Sequence, residues 1–466
     1  MQKDLTCGRP GKVLLRFALP VIGGNLFQLF YTLADVVIVG KTLGADALAA
    51  VGSTSIVSYF VLCFIQGLTG GFGICLGQRF GARDEDGMRK SAAASWLLSV
   101  VFAVALTALL CPLTRPLLHL MRTPSDIFED AWAYLFVILL GTGATVFYNA
   151  SSNLLRALGD SRTPLVFLIF SSLLNIALDY LFLVPIPMGT AGAAWATILS
   201  QAIAAAACIA VGVQKFPVLR SCRADWAERA QMKAALRRDL AVGFPMGFQM
   251  SVMCIGQVAM QAGVNALGAS AIAGYTAATK VDQISVLLNG AFGVALSNYV
   301  AQNCGAGRFD RIQSGVRAGL LQTECANLIV GAGLLLLRQN IVSLFLDAPT
   351  REVVSYAEGY LLAVVPFYLL LGLLLVYRTA VQSMGNGKAP FAACIVELVM
   401  RIGGTFGLSA LMGYTGVCLS SPLAWAGATA LLLPVYASMM RANGLGRQKK
   451  RKRPQILQHE TLPSAR

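Results

Sequence analysis

Apolar stretches of about 20 residues or more recur along the whole chain, separated by short charged or Gly/Pro-rich breaks. They lie at about residues 13–34, 47–78, 91–112, 131–155, 163–184, 190–213, 240–266, 271–300, 315–337, 357–381, 389–411 and 415–440. A helix needs about 20 mostly apolar residues to cross a bilayer, and an open sheet cannot satisfy its backbone in lipid. The pattern therefore predicts twelve transmembrane helices, called spans 1 to 12 below in chain order.

The second half of the chain repeats motifs of the first half at an offset of 224 to 226 residues. The pairs are Leu43-Gly44-Ala45 with Leu267-Gly268-Ala269, Gln78-x-x-Gly81-Ala82 with Gln302-x-x-Gly305-Ala306, and Leu158-Gly159-Asp160-x-x-x-Pro164 with Met384-Gly385-Asn386-x-x-x-Pro390. Two repeats of six spans have the same orientation, so the pseudo-twofold axis that relates them lies along the membrane normal, and such an arrangement places a binding site between them.

These patterns together predict an all-α membrane protein built from two six-helix lobes. The predicted parts are an N-terminal lobe at 1–214, a polar cytoplasmic linker at 215–239, a C-terminal lobe at 240–440 and a basic tail at 441–466. The linker is the longest polar segment between the first and last spans, which is why we place the boundary between the lobes there.

Composition excludes most other classes of protein. Hydrophobic residues make up 56% of the 466 positions and charged residues only 13%, whereas soluble domains carry roughly 25% charged residues. The eleven cysteines lie mostly in apolar stretches without CxxC spacing, and there are only two histidines. The sequence therefore indicates neither a disulfide scaffold nor a zinc site, and it offers little for histidine-based catalysis.

The 37 Lys and Arg residues predict the topology. Thirty of them fall in the N-terminal segment, in every second loop and in the tail, against five in the other loops. Because basic residues accumulate on the cytoplasmic side, we expect both termini in the cytoplasm and the chain in a bacterial inner membrane. The tail run Arg447-Gln-Lys-Lys-Arg-Lys-Arg453 is expected to lie on anionic lipid headgroups rather than on nucleic acid.

Two carboxylates in the first lobe lack an evident counter-ion. Asp35 lies on span 1 and Asp179 on span 5, and Asn175 is placed one helical turn before Asp179, on the same helix face. Since burial disfavours an unpaired charge, each acid is predicted to carry a proton or to ligate a hard cation. The alternative is a protonated Asp that only joins neighbouring helices. At the repeat offset these positions hold other residue types: Ala259 or Met260 for Asp35, Arg401 for Asn175 and Thr405 for Asp179.

The second lobe has its own ionisable residues within spans. Glu397 and Arg401 are four apart in the order that favours an intrahelical ion pair, so we expect a structural role for them. Lys280 and Asp282 are two apart on span 8 and cannot pair along the helix, although either could line the cleft. The sequence assigns no role to Glu324 on span 9.

Several motifs together resemble the multidrug and toxic compound extrusion (MATE) family of exporters. They are Pro20 with Tyr31-x-x-x-Asp35-x-x-x-Val39-Gly40, then Leu43-Gly-Ala-Asp-Ala-Leu-Ala-Ala-Val-Gly52, and Arg156-Ala-Leu-Gly-Asp160 with Asn175-Ile-Ala-Leu-Asp179. The resemblance covers about residues 12 to 440. It implies two lobes that open alternately to the two sides of the membrane, driven by protons or sodium ions.

The resemblance also implies which residues bind the coupling ion. The family's N-terminal cation site corresponds to Asp35, Asn175 and Asp179, and we add Thr197 on span 6 as a further oxygen ligand. A second design in the family uses a Glu on span 7 and an Asp in the middle of span 10, and this chain has neither. We therefore do not expect coupling through the C-terminal lobe, nor any cofactor besides H⁺ or Na⁺.

Further candidates concern the substrate and the gate. Soft or polar side chains are candidates for the substrate cleft: Phe147, Tyr148, Met253, Gln257, Lys280, Asp282 and Phe292. Pro20 removes a backbone hydrogen bond in span 1 and could provide a gating bend, with ordinary packing as the alternative. We expect a monomer that exports small hydrophobic, often cationic, compounds.

Other functions fit less well. The chain has no GxxxxGK[ST] loop for ATP and no HExxH or GxSxG motif, which argues against a primary pump and a membrane enzyme. A lipid-linked saccharide flippase of the same superfamily remains an alternative, but such a flippase needs fixed cations for its phosphates, and charge within the spans is sparse. The loop at 81–90 contains both acidic and basic residues, which suggests a transporter of the major facilitator class. The repeated motifs argue against that class.

Overall fold

The computed structural model describes residues 4–220, 226–341 and 350–451, and every regular element in those residues is helical. The helices are α1 Pro10–Leu43, α2 Ala45–Gly81, α3 Glu85–Leu120, α4 Phe128–Leu140, α5 Thr142–Ala157, α6 Arg162–Leu183, α7 Thr190–Lys215, α8 Arg229–Asn265, α9 Ala269–Gly305, α10 Phe309–Leu336, α11 Arg338–Ile341, α12 Arg351–Val364, α13 Tyr368–Ser383, α14 Lys388–Met412 and α15 Tyr414–Arg451. Short 3₁₀ turns occupy Pro217–Leu219 and Val365–Phe367.

The predicted twelve spans are confirmed. Eleven helical segments are long and apolar enough to cross a membrane, and the bent pair α4 and α5 makes a twelfth. Most helices extend a few residues beyond the predicted apolar stretches, where polar and charged residues continue the helix. The polar segment 215–239 is partly helical, since α8 already begins at Arg229.

Two spans that the sequence presented as continuous are broken. Span 4 bends by 44° between α4 and α5, and span 10 changes to a 3₁₀ turn between α12 and α13. The first break is at Gly141, where a Cβ atom would lie 2.3 Å from Ile198, and the second contains Pro366, which cannot donate a helical hydrogen bond. The two breaks are equivalent in the repeat.

The repeated motifs have matching structural roles. Gly44 and Gly268 have φ values of 90° and 98° directly before α2 and α9, a conformation that glycine adopts without strain. Asp160 accepts hydrogen bonds from the backbone N–H groups of Arg162 (3.1 Å) and Thr163 (3.0 Å) at the start of α6. Asn386 accepts one from Ala389 (3.1 Å) at the start of α14. The motifs thus fix the turns that set the direction of the helices.

Asp160 also joins two helices of the first lobe. Its carboxylate forms an ion pair with Lys215 at the end of α7. Burial alone would raise the pKa of Asp160, but the hydrogen bonds from Lys215 and Thr163 hold the pKa below its ordinary value. The loop therefore keeps a charged carboxylate that closes the end of α6 against the end of α7.

The lobes contact each other mainly through α2 with α8 and α9, through α3 with α8, and through α1 with α9 and α10. Glycines make the close approach possible, since a Cβ atom at Gly67 would lie 2.3 Å from the Met246 carbonyl oxygen and one at Gly71 would lie 2.3 Å from Gly243. Helix α1 continues through Pro20 as a single helix.

Hydrogen bonds between the lobes are concentrated at one end of the molecule. Within the described ranges they involve first-lobe residues in the segments 5–25, 60–63 and 75–95 and at 157. Most of these residues lie toward the end from which α1 starts and at which α2 finishes, called the N-terminal side below, whereas Asn25, Phe60 and Cys63 lie near the middles of α1 and α2. The two lobes are thus joined on the N-terminal side.

Candidate functional site

Three helices of the first lobe bring the predicted cation-site residues together. Asp35 comes from α1, Asn175 and Asp179 from α6, and Thr197 from α7. The carboxyl groups of Asp35 and Asp179 are within hydrogen-bonding reach of each other. Asp179 is fully buried and Asn175 is 1% exposed. Residues separated by as many as 162 positions in sequence thus form one polar cluster, called the acidic site below.

Asn175 orients Asp179. With its amide assigned from the hydrogen-bond network, Asn175 Nδ2 donates to Asp179 Oδ2 at 2.9 Å, and Asn175 Oδ1 accepts from the backbone N–H of Thr197 at 3.1 Å. The Thr197 hydroxyl donates to the Ala193 carbonyl oxygen at 3.1 Å. Asn175 therefore links the carboxylate on α6 to the backbone of α7.

Sequence reasoning missed Tyr31 as a member of this site. Tyr31 lies one helical turn before Asp35 on α1, and its hydroxyl is within hydrogen-bonding reach of Thr197. The signal was present, because the spacing Tyr31-x-x-x-Asp35 puts both side chains on one helix face. The site thus joins α1 directly to α7, in addition to the contacts of α1 with α6 and of α6 with α7.

The acidic site can take up a cation. Asp35 Oδ1 and Asp179 Oδ1 are both buried without a hydrogen-bond partner. Neither carboxylate takes part in an ion pair among the described residues. Two adjacent buried carboxylates cannot both stay charged without compensation, and a proton or a hard cation with oxygen ligands supplies it.

The second lobe holds a buried cluster of the opposite charge. The expected pair is present, since Arg401 Nη2 lies 2.8 Å from Glu397 Oε1. Arg378 also contacts Glu397 and is only 4% exposed. It is one of the thirty basic residues that the sequence placed in the N-terminal segment, loops and tail, but it lies inside the bundle. Two guanidinium groups share one carboxylate, and the Nε atoms of Arg378 and Arg401 have no partner. At the position equivalent to Asn175, the second lobe therefore carries a cation.

Asp282 and Lys280 do not interact with each other. Asp282 accepts hydrogen bonds from the hydroxyl groups of Tyr360 (3.0 Å) and Tyr368. Lys280 is exposed. A phenol donor stabilises a carboxylate without neutralising it, so Asp282, like Asp35 and Asp179, is a carboxylate without an ion-pair partner in the described residues. Nearby, both carboxylate oxygens of Glu324 are buried without a partner.

The remaining cleft candidates are spread over the molecule. Phe147 stacks on Trp96 and the Tyr148 hydroxyl donates to the Pro164 carbonyl oxygen, so both pack inside the first lobe. Phe292 packs on the hydrophobic cluster between the lobes. Met253 accepts a contact from Arg378 Nη1 at 3.6 Å, whereas Gln257 is exposed. The structure does not gather these side chains into one lining.

Comparisons with known proteins agree with the repeat and the fold. The MatE family model matches the chain twice, over residues 20–181 and 245–406. The probable multidrug resistance protein YpnP of Bacillus subtilis is 31% identical over 421 residues, covering 89% of this chain and 92% of that protein. The FAD transporter of Shewanella oneidensis is 24% identical over 424 residues, covering 89% and 91%.

A solved structure has the same fold. A MATE family transporter in an outward-facing conformation superposes with a TM-score of 0.87 at 23% identity, covering 94% of this chain and 98% of that one. The two family matches are offset by 225 residues, the same spacing as the repeated motifs. With its two matched halves, its full-length similarity to YpnP and its twelve spans, the chain belongs to the MatE family of multidrug and toxic compound extrusion transporters.

Proposed function

We propose that this transporter exports hydrophobic, often cationic, compounds in exchange for protons or sodium ions. The acidic site carries this proposal, because it places two carboxylates side by side in the membrane without a basic partner. A proton or sodium ion that enters from one side lowers the negative charge of this pair by one and has to leave before the lobes return. The ion's gradient then drives the cycle through a group whose charge changes between states.

The distribution of contacts supports alternating access. The lobes are hydrogen-bonded on the N-terminal side, so the described conformation is closed there. We propose that this side is cytoplasmic and that the conformation faces outward. Helix α1 carries both Pro20 and the acidic site's Asp35, so a bend at Pro20 would couple the occupancy of the site to the path between the lobes.

The proposed topology predicts one-sided labelling. Single cysteines placed in the linker at 215–220 and in the basic tail should react with an impermeant maleimide only after cells are opened. The reason is the charge bias, which stays at twenty-nine to five after the buried Arg378 is removed from it. A single cysteine at the exposed Asp126, in the loop between α3 and α4, should react in intact cells. Labelling of the tail in intact cells would contradict the topology.

The transport proposal is tested in proteoliposomes. Purified protein should accumulate a fluorescent lipophilic cation when a proton gradient or, in a separate experiment, a sodium gradient is imposed. The gradient that supports uptake identifies the coupling ion. Accumulation that needs neither gradient but requires ATP would contradict antiport, and rescue of a cell-wall precursor defect without any drug resistance would favour the flippase.

A second candidate substrate is an anionic flavin nucleotide. The excess positive charge of Arg378, Glu397 and Arg401 favours it, and one relative is named an FAD transporter. The same proteoliposomes should then take up FAD in preference to the lipophilic cation. Competition between the two compounds for uptake would show whether they use one pathway.

We also propose a monomer whose basic tail lies on anionic headgroups. Most of the tail, at 452–466, lies outside the described residues. The proposal rests on the basic run from Arg447 to Arg453, which follows directly from the last span.

A further inference from the structure

The repeated Gln-x-x-Gly motif lies where the two lobes meet on the N-terminal side. Helices α2 and α9 cross there with their backbones in contact. A Cβ atom at Gly81 would lie 1.8 Å from the Gln302 carbonyl oxygen, and one at Gly305 would lie 1.7 Å from the Gln78 carbonyl oxygen. Each position needs a glycine because the backbone of the other lobe's glutamine lies too close for a Cβ atom. The contact follows the pseudo-twofold symmetry of the fold.

Each glutamine also reaches into the opposite lobe. Gln78 Nε2 donates to the carbonyl oxygen of Ser383, the last residue of α13, at 2.8 Å. Gln302 Nε2 donates to the carbonyl oxygen of Ala157, the last residue of α5, at 2.8 Å. Carbonyl groups in the last turn of a helix lack partners within that helix. Each lobe therefore caps a helix end of the other.

The acceptor halves of the two amides are used as well. Gln302 Oε1 accepts from the backbone N–H of Leu5 at 2.9 Å, and Gln78 Oε1 accepts from Arg238 Nη2 at 2.6 Å. Both bonds cross between the lobes, since Leu5 precedes α1 and Arg238 lies on α8. Gln78 is 5% exposed and Gln302 is fully buried. A glutamine is suited to this position because it is donor and acceptor at once, whereas a glutamate would place a carboxylate against a carbonyl oxygen.

We propose that Gln78 and Gln302 form a reciprocal lock that holds the lobes together on the N-terminal side. The lock rests on the proposed alternating access, in which it opens whenever the cleft is exposed to that side. In the open state, water replaces the four protein partners, so each hydrogen bond contributes a net amount that is small enough for reversible opening. The lock thus biases the equilibrium toward the outward-facing state without fixing it.

The native Cys75 reports whether the lock is closed. Cys75 is 1% exposed and packs in a cluster with Val242 and Ala301 of the other lobe. A variant that keeps Cys75 as its only cysteine should react slowly with a water-soluble maleimide in lipid nanodiscs. Separation of the lobes on this side exposes the thiol, so the rate of modification measures the open population without any substrate or ion gradient.

We expect the double substitution Gln78→Ala/Gln302→Ala to raise the modification rate by about a hundredfold or more, because it removes four hydrogen bonds and each net bond lost corresponds to about fivefold. The matched control is Gln201→Ala, because Gln201 accepts from Thr145 within the first lobe at 2.7 Å and should leave the rate unchanged. Gln302→Glu keeps the size and the bond from Leu5 but replaces the donor to Ala157 by a carboxylate oxygen, and should also raise the rate.

The modification rates of these variants decide whether the lock exists. A folded double variant that reacts at the wild-type rate overturns the lock, and so does an equal increase in Gln201→Ala. If the double variant does not fold, Gln302→Glu decides in the same way. Since labelling needs neither transport nor an ion, a failure of the antiport proposal would leave this result intact, and a failure of the lock would leave antiport untouched.

Discussion

The substitution Asp179→Asn should abolish gradient-driven accumulation of substrate, lowering it by about tenfold or more, while the protein still folds. The asparagine retains an oxygen that can accept the bond from Asn175 Nδ2, and its amide nitrogen replaces the unpartnered Oδ1 beside Asp35. It cannot, however, gain and lose a charge. The proton or cation gradient then has no group at this position through which to act on the lobes.

This prediction is measured with purified protein in proteoliposomes at matched insertion levels. Asp35→Asn should behave in the same way, because the two carboxyl groups share one site. Asp46→Asn is the matched control, since Asp46 is an exposed acid in the first turn of α2 and should keep wild-type transport. Asp282→Asn tests whether the second lobe contributes, and we expect coupling to persist. The acidic site loses its role if Asp179→Asn still concentrates substrate with the wild-type dependence on pH and sodium.

The second large effect is expected on stability. Replacing Glu397 with Gln leaves the buried guanidinium groups of Arg378 and Arg401 without a counter-charge. Breaking a buried ion pair by removing one partner costs about 3–5 kcal/mol, because the remaining charge keeps its desolvation penalty. We therefore expect a lower Tm in detergent and a reduced yield, with little change in coupling for the molecules that do insert.

Two comparisons separate this effect from a general loss of charge. Glu358→Gln removes a partly exposed pair with Arg338 at 3.5 Å, and such a pair contributes about 0–1 kcal/mol, so its Tm should stay near that of the wild type. Replacing all three residues by apolar ones of similar size, with Arg378→Met, Glu397→Leu and Arg401→Met, should recover much of the lost stability. If Glu397→Gln unfolds at the wild-type temperature, the cluster does not stabilise the second lobe.

The buried cluster shows how local spacing identifies some partners and misses others. Glu397 and Arg401 are four apart on one helix, so the sequence predicted their pairing. Arg378 comes from a different helix, and only the packing of α13 against α14 brings it to the same carboxylate. The same limit applies to Asp282, whose tyrosine partners are 78 and 86 positions away in the sequence.

The sequence by itself determined the membrane class, the number of spans and the two-lobe repeat, and it pointed to Asp35, Asn175, Asp179 and Thr197 of the acidic site but not to Tyr31. It could do so because lipid requires long apolar helices, because an unpaired carboxylate within a span is rare, and because a repeated motif keeps its offset along the chain. The turn motifs also depend only on residues close in sequence. A glycine with positive φ forms the turn before a helix, and an Asp or Asn accepts hydrogen bonds at a helix start, in either lobe.

Only the tertiary structure decided which polar groups meet and where the lobes close. The breaks in spans 4 and 10, the position of Arg378 and the crossing of Gln78 with Gln302 depend on how one helix lies against another. Helix periodicity determines the face on which a side chain lies, but not the neighbour that this face contacts. That choice depends on close backbone approach at glycines and on hydrogen bonds between residues as many as 311 positions apart, which no local pattern encodes.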